Sequence, residues 1–431
     1  MSTARKAAAG LAGIAATIFI STQTVQADDT AASTWTGFYI GGFVGGGAVN
    51  NELDVLGGLV EFDGVGGEGF VGGGFAGFNY QVAPKFVVGI QGELGVQDLE
   101  TELSVAGFNL EAAPDFNAAI SGRAGWLANP NTLLYVIGGY SYAEYDVELS
   151  FGGLSADFDE KFHGFHVGAG LETRLTESIT ARIEYRYTQY GDEDFGTGGI
   201  VDVEPSTHTG TLGVAWNFYT GGDTLITPVA DYHRPDPEPE AASWTGFYIG
   251  GFAGGGAVVN EIDVGGLNFN GVGGEGGVVG GFAGVNYQVG SNVVVGAQVE
   301  LGVQDLETEV DVPLAAAELE AKPDFNLGVS ARLGWLADPD TLLYLIGGYS
   351  YAEYETEISI GAASATFDEE YDGFHVGGGI ETRLTESLTA RVEYRYTEYG
   401  DEDWGTGGIV EVEPSTHVGT VGFAWNFLGL L

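Results

Sequence analysis

The chain has 431 residues, 14 basic against 61 acidic side chains, a formal net charge of −47 and no cysteine. That length suits two domains; the charge argues against nucleic-acid binding, since phosphates would be repelled; the missing thiols exclude a disulfide framework, thiolate catalysis and thiolate metal sites. Its 74 glycines, more than twice the usual share of roughly 7%, have no G-X-Y period, which excludes collagen, and suit closely packed strands better than helices.

In chain order, residues 1–27 read as a signal peptide. Arg5 and Lys6 form a positive start, residues 7–20 a short apolar stretch, and Val25-Gln26-Ala27 a small-residue cleavage site. The mature chain is expected to begin at Asp28 and to be exported. No later segment runs ~18 apolar residues without interruption, so no transmembrane helix is expected.

The nonapeptide WTGFYIGGF at 35–43 returns letter for letter at 244–252. GVQDLETE follows at 95 and 302, GGYSYAEY at 138 and 347, VEPSTH at 203 and 412, and AWNF at 215 and 424. The offset is 209 residues at both ends and 207 in part of the middle. Residues 34–218 and 243–427 are therefore duplicated domains, not solenoid repeats. Residues 219–242, with PDPEPE at 235–240, read as an acidic, Pro-rich, semi-rigid linker on the periplasmic side.

Each unit reads as eight strands, in the first at about 36–49, 69–81, 86–96, 115–127, 132–149, 162–174, 179–190 and 207–218. The seventh alternates Ile179, Ala181, Ile183, Tyr185 and Tyr187 with Arg182, Glu184 and Arg186. The sixth sets Phe165, Val167, Ala169 and Leu171 against His166, Glu172 and Arg174. The polar face lacks the Lys-rich character of a solvated surface. Trp126, Trp216, Phe218, Tyr187 and Tyr190 stand near strand ends, as interfacial girdles do. Tight links at 82–85, 128–131 and 175–178 alternate with long ones near 50–68, 97–113, 150–160 and 191–203, which carry most of the acid. Apolar-out strands with short turns on one side and long loops on the other describe a membrane barrel. The fold class is all-β: two tandem eight-stranded antiparallel transmembrane β-barrels, with a single sixteen-stranded barrel as the alternative.

Certain ordered segments carry a resemblance: WTGFYIGGF after a signal peptide, GRAGW at 122, LLYVIGGYSYA at 133, VGAGLETRLTESITARIEYRYT at 167 and the Phe-ended last strand. Together they resemble the porin-like outer-membrane β-barrel proteins of alphaproteobacteria, the opacity-type surface antigens related to small OmpA-type barrels. The resemblance covers nearly all of each repeat. It implies a cell outer membrane location, a structural or surface role without enzymatic activity or cofactor, and insertion by the barrel-assembly machinery. Family members usually carry one barrel and end on the aromatic residue; here there are two, and Leu428-Gly429-Leu430-Leu431 follow Phe427.

Glu93, Arg123, Glu172, Arg174, Arg182, Glu184 and Arg186 are expected on inward faces, with Glu300, Arg332, Glu381, Arg383, Arg391, Glu393 and Arg395 in the second copy. Eight of the 14 basic residues are these arginines. They read either as an ion-pair plug or as a charged constriction that selects ions; the narrow bore of eight strands favours the plug. His166, His208, His375 and His417 recur in both copies without metal-site spacing, and read as rim or lumen hydrogen-bonding groups. Ser206 and His208 share a face, but no oxyanion motif or orienting acid accompanies them. Asp192, Glu193, Asp194, Asp401, Glu402 and Asp403 are candidates for loose divalent-cation binding, which could bridge the loops to lipopolysaccharide. The function expected is an outer-membrane structural protein that supports envelope integrity and presents acidic loops. The alternatives are a cation-preferring porin of sixteen strands and an adhesin or receptor acting through the loops.

Overall fold

The computed structural model describes residues 34–55, 60–105, 108–151, 154–195, 201–219, 243–264, 267–312, 317–360, 363–404 and 410–428, and among them there is no helix. The expected signal peptide and residues 220–242 of the linker lie outside the described residues. The first unit contains β1 (Gly37–Val55), β2 (Val60–Ala83), β3 (Phe86–Val105), β4 (Phe108–Asn129), β5 (Thr132–Phe151), β6 (Leu154–Arg174), β7 (Ile179–Tyr190), the short β8 (Glu193–Phe195) and β9 (Val201–Tyr219). The second contains β10 (Gly246–Val264), β11 (Leu267–Val289), β12 (Val293–Val312), β13 (Ala317–Asp338), β14 (Thr341–Ile360), β15 (Ala363–Arg383), β16 (Leu388–Tyr399), the short β17 (Glu402–Trp404) and β18 (Val410–Leu428).

Successive long strands pair antiparallel, and β9 then returns to β1 along its whole length, from Gly37 opposite Tyr219 to Val55 opposite Val201. In the second unit β18 returns to β10 in the same way. Two closed rings of eight long strands result. The single sixteen-stranded ring is not formed, because the strands that would have to join the halves are already paired within them.

The long connections are a correction. Pairing runs on through most of them: β1 and β2 reach Val55 opposite Val60, β3 and β4 reach Val105 opposite Phe108, and β5 and β6 reach Phe151 opposite Leu154. A hairpin once in register satisfies its backbone donors and acceptors by continuing the ladder. The carboxylates that fill these segments are poor strand formers and disguised them as loop.

Outward positions form an exposed apolar band that includes Ile90 (66%), Ile120 (64%) and Phe374 (74%). Glu93, Arg123 and Gln91, by contrast, are buried inside. This inversion of a soluble barrel is what a lipid-facing wall requires. The repeated nonapeptide obeys it only in part. Phe38 and Ile40 face out, but Trp35, Tyr39 and Phe43 are buried. A Cβ on Gly41 would overlap the Phe75 ring, so this glycine makes room for a large inward side chain. Of the expected girdle, Trp216 and Phe218 are exposed, whereas Tyr190 is buried.

The barrels lie side by side. At the short-turn end Thr132 Oγ1 meets Thr341 Oγ1 at 2.7 Å, and Asn129 Nδ2 donates to Thr341 and Thr382 at 3.3 and 3.1 Å. Midway, Leu171 and Ile183 pack against Ile380 and Val392. Near the other end Val65 of β2 pairs with Val272 of β11.

Candidate functional site

The bore of the first barrel is filled in layers. At the short-turn end Trp35, Val87, Leu127, Leu133, Tyr135 and Ile137 form an apolar plug. Trp35 is fixed by its Nε1, which donates to the Pro130 carbonyl at 3.1 Å. Arg174 lies on the Trp35 ring at 4.8 Å and donates to the Thr34 carbonyl at 2.7 Å. Arg383 repeats this on Trp244 at 4.6 Å, donating to the Ser243 carbonyl at 3.1 Å. Both arginines thus cap the end of the bore, because each closes its strand next to the first tryptophan of its repeat.

Above the plug Arg123 pairs with Glu172 at 2.7 Å, and Thr180 donates to the same carboxylate at 2.8 Å. Arg182 donates to Gln91 at 2.8 Å and lies 3.5 Å from the centre of the Phe75 ring. Arg186 takes both oxygens of Glu93 at 2.8 and 3.0 Å and reaches Glu184 at 2.6 Å, while Tyr135 donates to Glu184 at 2.8 Å. His166 sits between Ser121 and Ser141, with 2.8 Å to each hydroxyl. Tyr145, Phe162 and Tyr190 close the layer edge to face.

The second bore matches it. Arg332 pairs with Glu381 at 2.7 Å, Arg391 donates to Gln298 at 2.8 Å, and Arg395 clamps Glu300 and, at 2.6 Å, Glu393. In each bore Arg182 or Arg391 donates to a neutral glutamine and lies on an aromatic face, and Arg391 also stands 3.9 Å from the Glu393 carboxylate, a mixed role that alternation alone does not distinguish from a simple ion pair. Setting the end-capping arginine aside, three arginines face three glutamates in each bore. Two of the three arginines in each bore are hydrogen-bonded directly to carboxylates, and the layer borders a cavity of only about 20 Å³ in the first bore and 30 Å³ in the second.

Asp192 and Asp401 are exposed, Glu193 and Asp194 lie on β8, and Glu402 and Asp403 lie on β17. Strand register, invisible in the sequence, sets acid opposite acid. Asp194 stands opposite Asp202, Asp202 opposite Asp54, and Asp54 opposite Glu61. Glu102, Glu111, Glu148 and Asp157 form a second row across four strands. Like charges directly opposite destabilise a sheet. Burial, together with Glu261, Glu398, Asp401 and Glu68, pushes the Glu413 carboxyl above its ordinary range.

His208 and Ser206 occupy neither rim nor lumen. They lie on the outer wall, where His208 Nε2 donates to Glu275 of the other barrel at 3.0 Å and Ser206 donates to the same oxygen. The serine hydroxyl is bound to a carboxylate, not to the imidazole, so the pair lacks the geometry of an activated nucleophile.

Asp338 ends β13 at the short-turn rim, outside the lipid band, where the first barrel has Asn129. Burial raises its carboxyl from an ordinary 3.8 to about 6, so the folded chain binds this proton more tightly than the unfolded chain. Stability from this group is fully present below about pH 4 and is lost as pH rises through 6; the loss is on the order of 3 kcal/mol. Asp338→Asn is expected to flatten that decline, read as unfolding temperature at pH 5 and pH 7.5. An unchanged pH dependence would remove Asp338 from the account.

Residues 12–218 and 235–427 match the family described as "Outer membrane protein beta-barrel domain". The 31 kDa outer-membrane immunogenic protein of Brucella melitensis is 28% identical over 239 residues, covering 50% of this chain and 95% of that protein. The 22 kDa outer membrane protein of Rhizobium leguminosarum bv. viciae is 32% identical over 170 residues, covering 39% and 70%. Among solved structures, Neisserial surface protein A aligns with 42% of this chain and 98% of its own, at a TM-score of 0.26 and 14% identity. The Pseudomonas putida toluene transporter TodX aligns with 91% and 90%, at 0.28 and 12%. With both units matched almost end to end, the chain belongs to the outer-membrane β-barrel protein family and carries its barrel domain twice.

Proposed function

We propose that the protein is a non-enzymatic structural and surface component of the outer membrane. In this reading it supports the envelope and holds two acidic crowns of strand outside it. One observation carries the proposal: each bore is occupied from plug to lid by apolar layers and a charge-balanced ion-pair layer, with cavities of only about 20 and 30 Å³ left beside it. A bore that cancels its own charge offers a permeating ion neither space nor sign. Reconstituted in planar bilayers, the full chain is expected to give no porin-sized conductance steps. Sustained, cation-preferring steps would overturn the proposal in favour of a transporter.

The same reading includes export through a cleaved signal peptide, insertion by the barrel-assembly machinery, and contact with lipopolysaccharide. The acid rows give the outer hairpins a use for divalent cations, which screen opposed carboxylates and can bridge them to anionic lipid. Millimolar Mg²⁺ at constant ionic strength is expected to slow proteolysis of the outer hairpins. Equal rates with and without Mg²⁺ would leave only general screening.

A further inference from the structure

Each barrel has an outer wall that does not suit lipid. Glu68 on β2 and Ser206 and His208 on β9 point outward, as do Glu275, Ser415 and His417 in the second unit, and they interrupt a wall whose lower outward positions, such as Leu212 and Val214, are apolar. Here the four serine and histidine side chains are buried at 4–8% exposure, against the opposite barrel. The contacts are reciprocal. Glu68 accepts from Ser415 at 2.6 Å, His417 at 2.9 Å and Tyr396 at 3.2 Å. Glu275 accepts from Ser206, from His208 at 3.0 Å and from Tyr187 at 3.1 Å.

Glycine brings the walls together. GVGGEG at 64–69 recurs at 271–276, and a Cβ on Gly273 would overlap the backbone of Gly66. Tyr394 lies where a Cβ on Gly210 would be, and Tyr185 where a Cβ on Gly419 would be. Thr132 and Thr341 close the other end. Small residues that let backbones approach, with hydroxyl and imidazole bonds across the gap, are the means by which membrane segments associate. Equivalent residues contribute from both sides, as in a twofold interface.

We propose that this wall is a built, self-complementary docking surface whose occupant is a second barrel of the same kind. The glutamate of GVGGEG in one barrel is read by the Ser-Thr-His segment of the other. The linker only raises the effective concentration of the two faces. The protein is then a tethered dimer of barrels, and its lipid boundary runs around the pair.

The test uses the full chain, purified in mild detergent, with a protease site placed within residues 220–242. After cleavage the halves are expected to elute together at the volume of the uncut protein. Gly210→Val with Gly419→Val should separate them while both halves keep their heat-modifiable mobility. Because the chain has no cysteine, a second readout in the intact membrane is clean. Thr132→Cys with Thr341→Cys should convert to the cross-linked form. Ile120→Cys with Val329→Cys, on exposed walls, should remain open. Folded halves that part on cleavage would overturn the proposal. So would a Thr132/Thr341 pair that fails to link although both thiols accept a maleimide.

Discussion

Replacing Arg186 with alanine is expected to destabilise the first barrel by about 3–5 kcal/mol, the usual consequence of removing one partner from a buried ion pair. Arg186 alone answers Glu93 at two oxygens and Glu184 at one, and these side chains are only 10%, 5% and 2% exposed. Its loss leaves two buried carboxylates without a hydrogen-bonded cation, Glu184 keeping only Tyr135 and Glu93 only Gln91. Arg186→Lys should recover only part of the effect, because an ammonium cannot grip a carboxylate with a planar fork. Adding Glu93→Gln and Glu184→Gln to the alanine variant should restore much of it, since the orphaned charges are then gone. Arg182→Ala makes the contrast: its direct contacts are neutral Gln91 and the Phe75 ring, and it reaches Glu184 and Glu172 only through space, so a smaller loss of about 1–2 kcal/mol is expected. Urea unfolding followed by heat-modifiable mobility reads all four. Equal losses for Arg182 and Arg186 would mean that packing, not charge pairing, holds the bore.

Much of this bore was legible in the sequence because period-two alternation fixes which side chains share a face. Arg182, Glu184 and Arg186 fall opposite Ile183 and Tyr185 whatever the partner strands do. Alternation does not fix depth along the bore. Arg174 shares the inner face with Glu172, yet as the last residue of β6 it stacks on Trp35. Nor does alternation say what covers an outward residue: Leu171 and Ile183 read as lipid-facing, and His208 as a rim or lumen hydrogen-bonding group. A signal existed. Polar Ser206 and His208 on an otherwise apolar wall, and GVGGEG in both repeats, mark surfaces that lipid alone does not explain. The acid rows were hidden for a different reason, since Glu102, Glu111, Glu148 and Asp157 align only through the register of four strands.

The segment Asp28–Gly222, refolded alone in detergent, is expected to give a compact band that shifts on boiling. Every long strand of the first unit finds both neighbours within that unit, β9 pairing with β1 and with β7. The bore contacts of Glu93, Arg123, Glu172, Arg182, Glu184 and Arg186 are likewise internal. What the segment loses is one wall: Glu68 parts from His417 and Ser415, and Thr132 from Thr341. Ring closure should therefore survive while the exposed wall seeks a substitute. Because equivalent residues contribute from each side, a second copy supplies the missing partners, and the folded segment should elute as a dimer in mild detergent. Gly210→Val should reduce it to a monomer that still shifts on boiling. Failure of the segment to fold where the full chain succeeds would mean that the second unit is needed for closure. A folded monomer would mean that pairing depends on the tether, not on the wall.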